Sequence, residues 1–372
     1  MSFACGHAQA GHWGLAVRSC LEQVVPAVAS HANVGFVYVG ERFADDLSSV
    51  LTFLRETSRI QDWVGAVVPG IVAQGRELRG GDAMAVMVGR LPAGSFLPFS
   101  SADLSAFSVR MAPWIRQHGA SMALVHGNPR DAAIPQMIAA AADGAGFLAG
   151  GLVSASEQAS QIAGSVDSGA LSGLLLGQGA RVVTGLSQGC SPLGGEHMIT
   201  EAWDAALMSL DYRPAIDVLK DEAGELIARD LKRAAGYIHV ALPVQGSDTG
   251  DYQVRSLLGI DPRNGWLVVG DQLQLGRRLM FVRRDPQTAK ADLTRMLESV
   301  VRRLDGRKAL AAHYVTCTAR GEHMFGEAGL EAAMVQDALG PDTPLIGFFA
   351  NGEISGERLY TYSAILTVLA EG

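Results

Sequence analysis

Two neighbouring groups of residues in the middle of the chain have the spacing of a nucleophilic site. Residues 185–189 read Gly-Leu-Ser-Gln-Gly, the G-x-S-x-G pattern that presents a serine on a sharp strand-to-helix turn. Cys190 follows directly, and His197 could act as the base for a thiolate. Residues 190–195 cannot begin a helix, so the turn that would activate Ser187 is missing. A serine or cysteine hydrolase using Ser187 or Cys190 is therefore an alternative, and a buried structural Cys190 is the preferred interpretation.

Three histidines lie in or beside predicted apolar strands, where an imidazole could ligate haem iron: His126, His239 and His313. A lone histidine on such a strand is more often a hydrogen-bonded core residue, so haem is an alternative cofactor. The chain has neither a G-x-G-x-x-G turn nor a Gly-Lys step, so dinucleotide-binding and phosphate-binding loops are excluded. Its four cysteines lack the spacing of a zinc site, and we predict no metal and no catalytic residues.

The elements that must position these residues occur as a repeat. An apolar strand, an amphipathic helix, a glycine-bearing strand and a third apolar strand follow one another three times. The predicted elements are 34–39, 45–57, 63–68 and 83–88, then 121–126, 131–142, 147–153 and 170–176, then 311–316, 327–339, 345–349 and 360–369. Gly65, Gly150 and Gly347 match, which predicts close approach of a backbone or a ligand, with chance similarity of α/β units as the alternative.

The segment between the second and third copies differs in character. A turn-rich connector is expected to run from residue 185 to near Pro214, followed by a helix over 215–235. Four short strands are then predicted, at 237–244, 252–258, 266–269 and 279–282. Asp285-Pro286 predicts the start of a helix that Gly306 ends. Many basic residues fall on this helix, either as a solvated face or as a dock for an acidic partner.

Composition indicates a folded protein with an acidic surface. Hydrophobic residues make up 48% and charged residues 18%, and the 44 glycines have no three-residue period, which excludes extended disorder and collagen. A net charge of -8 disfavours nucleic acid and anionic membranes as partners. The start lacks a signal peptide, and residues 137–155 are too interrupted to span a membrane. We predict a cytoplasmic protein of the α/β (mixed α+β) class, with two related halves of repeated strand-helix-strand-strand units.

Four blocks in the order of the chain resemble the signatures of FIST proteins, which are bacterial sensory proteins. They are 187–194 (S-Q-G-C-S-P-L-G), 210–219 (L-D-Y-R-P-A-I-D-V-L), 320–326 (R-G-E-H-M-F-G) and 347–354 (G-F-F-A-N-G-E-I). Tyr212 stands where the family usually has glycine, and Tyr360 where histidine is common. The resemblance covers about 34–369. It implies an N-terminal helical segment (1–33), a FIST N-like domain (34–203) and a FIST C-like domain (204–372).

The resemblance implies a sensor for signal transduction that is not an enzyme. Amino acids are ligands proposed for such proteins, and some members are associated with haem and nitric oxide. A haem-based gas sensor is therefore the alternative to a sensor of amino-acid-like molecules. Because the two halves account for the length of the chain, we expect a separate effector protein to receive the signal.

The ligand is predicted to bind in the turns after the strands, between the two halves, where the repeat and the family motifs coincide. Such carboxyl ends of strands offer unpaired N–H groups to a ligand. The predicted residues are Cys190, Cys317, Arg320, Asn351 and Glu353. Arg320 could hold a carboxylate and Glu353 an ammonium group, which together would select a zwitterion such as an amino acid. The alternative is that Arg320 and Glu353 pair with each other.

Overall fold

The computed structural model describes residues 2–28, 32–101, 104–154, 159–224, 237–244 and 251–372. By its contacts the chain divides into two compact units. Unit 1 comprises Met1–Gln188 and Leu293–Gly372, and unit 2 comprises Gly189–Asp292. Strands and helices are interleaved in both units, which confirms the predicted mixed α+β class.

Unit 1 contains the predicted repeat three times, and each copy is longer than the sequence indicated. The first copy consists of β1 (Phe3–Gln9), α1 (Trp13–Val28), β2 (Val34–Gly40), α2 (Leu47–Ser58), β3 (Asp62–Val68), β4 (Ile71–Ala73), β5 (Arg76–Leu78) and β6 (Ala83–Gly89). The second consists of β7 (Phe96–Ser101), α3 (Leu104–His118), β8 (Ala120–Gly127), α4 (Ile134–Ala145), β9 (Leu148–Leu152), β10 (Gln161–Ala163), β11 (Val166–Asp167) and β12 (Leu171–Gly177). The segment before residue 34 thus contributes a strand as well as the predicted helix.

The third copy is interrupted in the chain by unit 2. It begins with β13 (Arg181–Ser187), and unit 2 follows with β14 (Cys190–Pro192), β15 (His197–Trp203), β16 (Ala206–Leu210), β17 (Arg213–Pro214), α5 (Ala215–Ala223), β18 (Ile238–Pro243), β19 (Tyr252–Asp261), β20 (Trp266–Val269) and β21 (Arg278–Arg284). The third copy resumes with α6 (Pro286–Leu304), β22 (Ala309–Cys317), α7 (Glu322–Phe325), α8 (Leu330–Leu339), β23 (Leu345–Ala350), β24 (Glu353–Ser355), β25 (Arg358–Tyr360) and β26 (Ala364–Ala370).

The three copies exchange their hairpins. Each copy forms a six-stranded sheet, and the strand orders are β1-β6-β2-β3-β10-β11, β7-β12-β8-β9-β24-β25 and β13-β26-β22-β23-β4-β5. The last two strands of every sheet are a hairpin from a different copy. This exchange ties the copies into one unit, since no copy completes its own sheet.

The matching glycines allow close approach of a neighbouring backbone. Gly65, Gly150 and Gly347 pair in parallel register with β2, β8 and β22, respectively. A Cβ atom at any of the three would collide with the carbonyl oxygen of the residue opposite. The sequence predicted close approach of either a backbone or a ligand, and at all three positions the close neighbour is a backbone.

The sheets are buried on both faces, which explains their long apolar runs. Alternate residues of β2 divide between two cores: Tyr38 belongs to a core shared by the three sheets, whereas Val37 and Val39 belong to a second core under α1 and α2. The sheet of the second copy is covered in the same way by α3 and α4. Strands β2, β8 and β22 therefore bring their inward side chains together at the centre of unit 1.

Unit 2 is built around a closed antiparallel sheet. Its strands pair in the order β21-β15-β16-β20-β19-β18, and β18 pairs again with β21. The connector predicted up to Pro214 is wrong, because β14 to β17 lie within it. Two register irregularities in β15, around Glu201, break the alternation that would have revealed this strand.

The other predictions for this part of the chain have mixed outcomes. The predicted strands β18 to β21 and the helix after Asp285 are confirmed, and the Thr288 N–H donates to the Asp285 carboxylate at 2.9 Å as a cap. The helix predicted over 215–235 begins as α5 but ends at Ala223, because Gly224 leaves the helical conformation with a φ of 79°. Residues 225–236 lie outside the described residues. None of the helices in the described ranges is long and apolar enough to cross a bilayer.

Candidate functional site

The polar residues of unit 1 converge at the carboxyl ends of β22 and β23. β22 ends at Cys317, which lies opposite Ala350 in parallel register. The chain after β22 turns through Arg320, whose backbone N–H donates to the Cys317 carbonyl at 2.9 Å. The chain after β23 enters β24 at Glu353. Because the two strands are parallel neighbours, both turns lie at the same edge of the sheet.

Arg320 forms a fully buried ion pair with Glu331. The distance from Arg320 Nε to Glu331 Oε1 is 2.7 Å, and each side chain is only 1% exposed. The hydroxyls of Tyr314 and Thr316 donate to the same oxygen at 2.7 and 2.9 Å. Glu331 Oε2 has no hydrogen-bond partner among the residues that the structure describes. One carboxylate oxygen thus takes three donors, while the other is buried without any.

The Arg320 turn has further contacts within unit 1. Arg320 Nη2 donates to Ser187 Oγ at 3.4 Å, and the Arg320 carbonyl accepts from Arg79 Nη2 at 3.0 Å. The Arg79 guanidinium stacks 3.8 Å above the Phe349 ring. Ser187 is completely buried at the end of β13, and the next element is strand β14, not a helix. The context of a nucleophile elbow is therefore absent, as the sequence indicated.

Glu353 is a buried carboxyl group that keeps its proton at neutral pH. Its side chain is 0% exposed, and Oε2 accepts from the Ser363 N–H at 3.0 Å and from the Ser363 hydroxyl at 2.8 Å. Burial raises the pKa of Glu353 to about 8, although the Ser363 bonds, the Cys317 thiol and the charge of Arg320 act in the opposite direction. A neutral acid and a buried guanidinium thus lie within one cluster.

The structure brings together four of the five residues predicted from the sequence. Cys317, Arg320 and Glu353 lie in the cluster just described, and Asn351 at its exposed edge accepts from the Thr318 hydroxyl at 2.9 Å. The ion partner of Arg320 is Glu331, not Glu353 as the alternative proposed. We call Cys317, Arg320, Glu331, Asn351 and Glu353 the motif cluster.

Cys190 belongs to unit 2, where it lies buried in β14 and its carbonyl accepts from the Tyr252 hydroxyl at 3.0 Å. His197, the proposed base for its thiolate, is held by two carboxylates instead. Its Nδ1 lies 2.6 Å from Asp211 and its Nε2 2.7 Å from Glu222. Burial favours a lower pKa for His197, but the hydrogen bonds to Glu222 and Asp211 outweigh it and raise the pKa.

Sequence reasoning missed Glu331, the buried partner of Arg320. A signal was present, because Glu331 precedes Ala332 and lies four residues before Val335 on the buried face of α8. A charged residue on an apolar helical stripe is a candidate for a buried pair. The missing information was its partner, because Arg320 is separated from it by α7 and a turn.

A second polar cluster lies at the centre of unit 1. The Tyr38 hydroxyl is 2.9 Å from His126 Nε2 and 2.5 Å from His313 Nε2. Burial lowers the pKa of each histidine to about 3, with the proximity of His313 adding to the effect on His126. We call Tyr38, His126 and His313 the core cluster.

The core cluster does not fit a haem ligand. Iron would bind an imidazole nitrogen, and the Nε2 atoms of His126 and His313 both face the Tyr38 hydroxyl. Phe348 packs against both imidazoles, with ring centroids 5.8 and 5.9 Å away. His239, the third candidate, is buried in unit 2, where desolvation and the charge of Arg284 lower its pKa to about 4. The two histidines of unit 1 are core residues held by a tyrosine.

Comparison with protein families places the motif cluster in context. Residues 33–213 match the FIST N domain, and residues 215–356 match the FIST C domain. The chain belongs to the FIST family. FIST domains are associated with sensing in signal transduction. The resemblance noted in the sequence is confirmed, and the FIST blocks at 187–194, 320–326 and 347–354 supply Ser187, Arg320 and Glu353 of the geometry described above.

Relatives of this FIST chain occur in mycobacteria. The uncharacterized protein Rv0628c of Mycobacterium tuberculosis is 35% identical over 186 residues, covering 47% of this chain and 46% of the relative. The uncharacterized protein Mb0898c of Mycobacterium bovis is 36% identical with the same coverage. The aligned part of the chain spans about half the length of these relatives. The FIST N and FIST C matches meet near residue 214, whereas the compact units divide at 188/189 and 292/293.

Proposed function

We propose that this FIST protein is a non-catalytic, cytoplasmic sensor that binds a small zwitterion, such as an amino acid, at the motif cluster. A separate effector protein would receive the signal. The observation that carries the proposal is the burial of Arg320 and Glu353 at the ends of adjacent parallel strands. Buried ionisable groups with altered pKa values concentrate at functional sites, because desolvating them costs stability that a purely structural core would avoid.

The chemistry of the two groups suits the two ends of an amino acid. Arg320 presents a planar guanidinium, which pairs with a carboxylate through parallel hydrogen bonds. In the described structure Glu331 supplies that carboxylate, and its second oxygen is left without a donor. A ligand carboxylate would bind Arg320 beside the Glu331 carboxylate or in its place.

Glu353 would receive the ammonium group of the ligand. Its pKa of about 8 means that it is mostly protonated in the free protein at pH 7. A nearby ammonium favours the ionised carboxylate, so binding should release a proton from Glu353. Asn351, at the exposed edge, would offer its amide to the same ligand. Cys190 remains a prediction from the sequence alone.

A thermal-shift screen with the twenty L-amino acids tests the proposal. A ligand present at 100 times its dissociation constant adds about 2.7 kcal/mol to stability, which is several degrees of melting temperature. Glu353→Gln should weaken binding and so reduce the shift. Arg42→Lys is the matched control, because Arg42 follows β2, the counterpart of β22, but is exposed, and this variant should keep the shift.

Isothermal titration in two buffers of different ionisation enthalpy gives a second readout. The proposal expects proton release on binding by the unaltered protein and none by Glu353→Gln at a saturating ligand concentration. If no amino acid changes the melting temperature, or if Glu353→Gln binds and shifts like the unaltered chain, the motif cluster is not the ligand site.

A further inference from the structure

The outer face of the closed sheet in unit 2 exposes a row of apolar side chains. Trp203 is 75% exposed, Leu258 66% and Val268 36%, while Leu267 and Val269 on either side of Val268 point into the core. The row is continuous across strands: Trp203 pairs with Ala206, and Ala206 pairs with Val268. Val268 pairs in turn with Gly259, the neighbour of Leu258. We call Trp203, Val268 and Leu258 the apolar row.

A cavity of about 440 Å³ opens on the same outer face. Its walls include Met208, Tyr212 and Trp266, and its polar lining includes Thr200, Glu201 and Ser209. Met208 is two residues from Ala206 on β16, and Trp266 is two residues from Val268 on β20, so each shares a face with the apolar row. The cavity and the row therefore form one continuous surface.

Tyr212 is held over this cavity in an unfavourable backbone conformation. Asp211 and Tyr212 have φ values of 50° and 63°, so both residues of the turn between β16 and β17 are left-handed. Glycine is favoured there, and an aromatic residue in the left-handed conformation strains the backbone. The Asp211 carboxylate fixes the turn by accepting from the Met198 N–H at 2.9 Å. The Tyr212 side chain is nevertheless 85% exposed, so burial within the chain does not compensate for this cost.

The charge of the cavity selects a cation. Glu201 lines it and has no ion pair among the residues that the structure describes, whereas Arg213 is taken by Asp221 at 2.6 Å. Two aromatic rings and a free carboxylate are the combination that binds guanidinium and ammonium groups, through cation–π attraction and ion pairing. A small cation alone would leave the adjoining apolar row uncovered, which favours an occupant with apolar residues next to its cation.

We propose that this face docks an extended segment of a partner protein, with an arginine or lysine side chain in the cavity and its apolar neighbours on the apolar row. Tyr212 and Trp266 would contact the cation and its aliphatic stem, and Glu201 would neutralise it. The proposal is independent of the ligand at the motif cluster, because none of these residues belongs to that cluster.

The cavity is tested first with N-acetyl-arginine amide and its neutral isostere N-acetyl-citrulline amide. Binding is followed through the indole N–H signals of Trp203 and Trp266 in NMR spectra, assigned with Trp203→Phe and Trp266→Phe. We expect the arginine compound to bind at least tenfold more tightly. Glu201→Gln should remove this preference, and Tyr212→Gly should weaken binding while leaving the protein folded. Equal binding of the two compounds, or binding unaffected by Glu201→Gln, would overturn the cation site.

The docking of a segment is tested with a synthetic peptide that carries leucines on both sides of one arginine, against the same peptide with serines. The leucine peptide should bind at least tenfold more tightly than the serine peptide. Replacing Trp203 and Leu258 together by serine should remove that gain and leave binding of the arginine amide unchanged. No gain from the leucines, or self-association of the protein through this face in sedimentation, would reject a partner segment.

Discussion

The motif cluster and the core cluster both lie within unit 1, but they differ in charge. The core cluster holds two histidines that share one tyrosine hydroxyl, and burial keeps both imidazoles neutral. The motif cluster holds a guanidinium, a glutamate and a protonated carboxyl group. A neutral hydrogen-bond network can fix the packing of the three sheets with a small desolvation penalty. Buried charges lower the stability of the fold unless a partner or a ligand offsets their desolvation. This difference is the reason for placing function in the motif cluster.

Removing the partner of Arg320 should have the largest effect on stability. Glu331→Gln leaves a guanidinium buried without a counter-charge, which costs about 3–5 kcal/mol. Urea unfolding followed by fluorescence measures the loss. Glu327→Gln, an exposed position just before α8, is the control and should change stability by less than about 0.5 kcal/mol. A loss equal to that of the control would mean that the pair is not buried as described.

The core cluster should respond to Tyr38→Phe with a smaller loss. The change deletes only the hydroxyl, so two buried imidazole nitrogens lose their partner, and the expected cost is about 2 kcal/mol. Tyr237→Phe removes a hydroxyl from a residue that is 67% exposed and should be neutral. A Tyr38→Phe protein as stable as the parent would show that the histidines do not depend on this hydroxyl.

The two clusters should change the free energy of unfolding in opposite directions as the pH rises. The pKa of Glu353 is raised from 4.5 to about 8, so its contribution is fully present below pH 4.5 and is lost as the pH rises towards 8. Within this window the loss is on the order of 1 kcal/mol per pH unit. Glu353→Gln should remove it, so the stability of the variant relative to the parent should rise from pH 5 to pH 8.

The core cluster gives the opposite dependence. The pKa values of His126 and His313 fall from 6.5 to about 3, so the stability they contribute is present above pH 6.5 and is lost as the pH falls towards 3. Glu353→Gln should leave this acid limb unchanged. If the variant and the parent have the same profile above pH 5, Glu353 is not protonated in the folded state.

Mutation at the exposed edge of the motif cluster should have the smallest effect on stability. Thr318→Val removes the hydroxyl that donates to Asn351 at an exposed position. Because water replaces the lost bond, the expected change in unfolding free energy is about 0.5 kcal/mol. Unfolding curves measure this change. The same curves recorded with the amino acid that stabilises the parent most show whether Thr318→Val changes ligand affinity more than stability.

The repeat in unit 1 was readable from the sequence, because its strands are apolar on both faces and its helices have a clear period. The three glycines also marked the paired strands in advance. The hairpin exchange was not readable, since β4, β5, β10 and β11 are two or three residues long and carry no pattern of their own. In unit 2 the sequence predicted strands β18 to β21. It did not predict β15, because the irregular register of this strand interrupts the alternation of apolar and polar residues.

The sequence by itself determined the family, the mixed α+β class and the placement of Arg320 and Asn351 in the turns after β22 and β23. Local patterns suffice for these, because periodicity and turn residues act over a few positions. Only the tertiary structure decided that Arg320 pairs with Glu331 and that Tyr38 joins His126 to His313. Those partners come from separate elements, so which buried group meets which donor depends on the register and stacking of the sheets. The protonation of Glu353 follows from the same packing, because burial removes the water that would stabilise its charge.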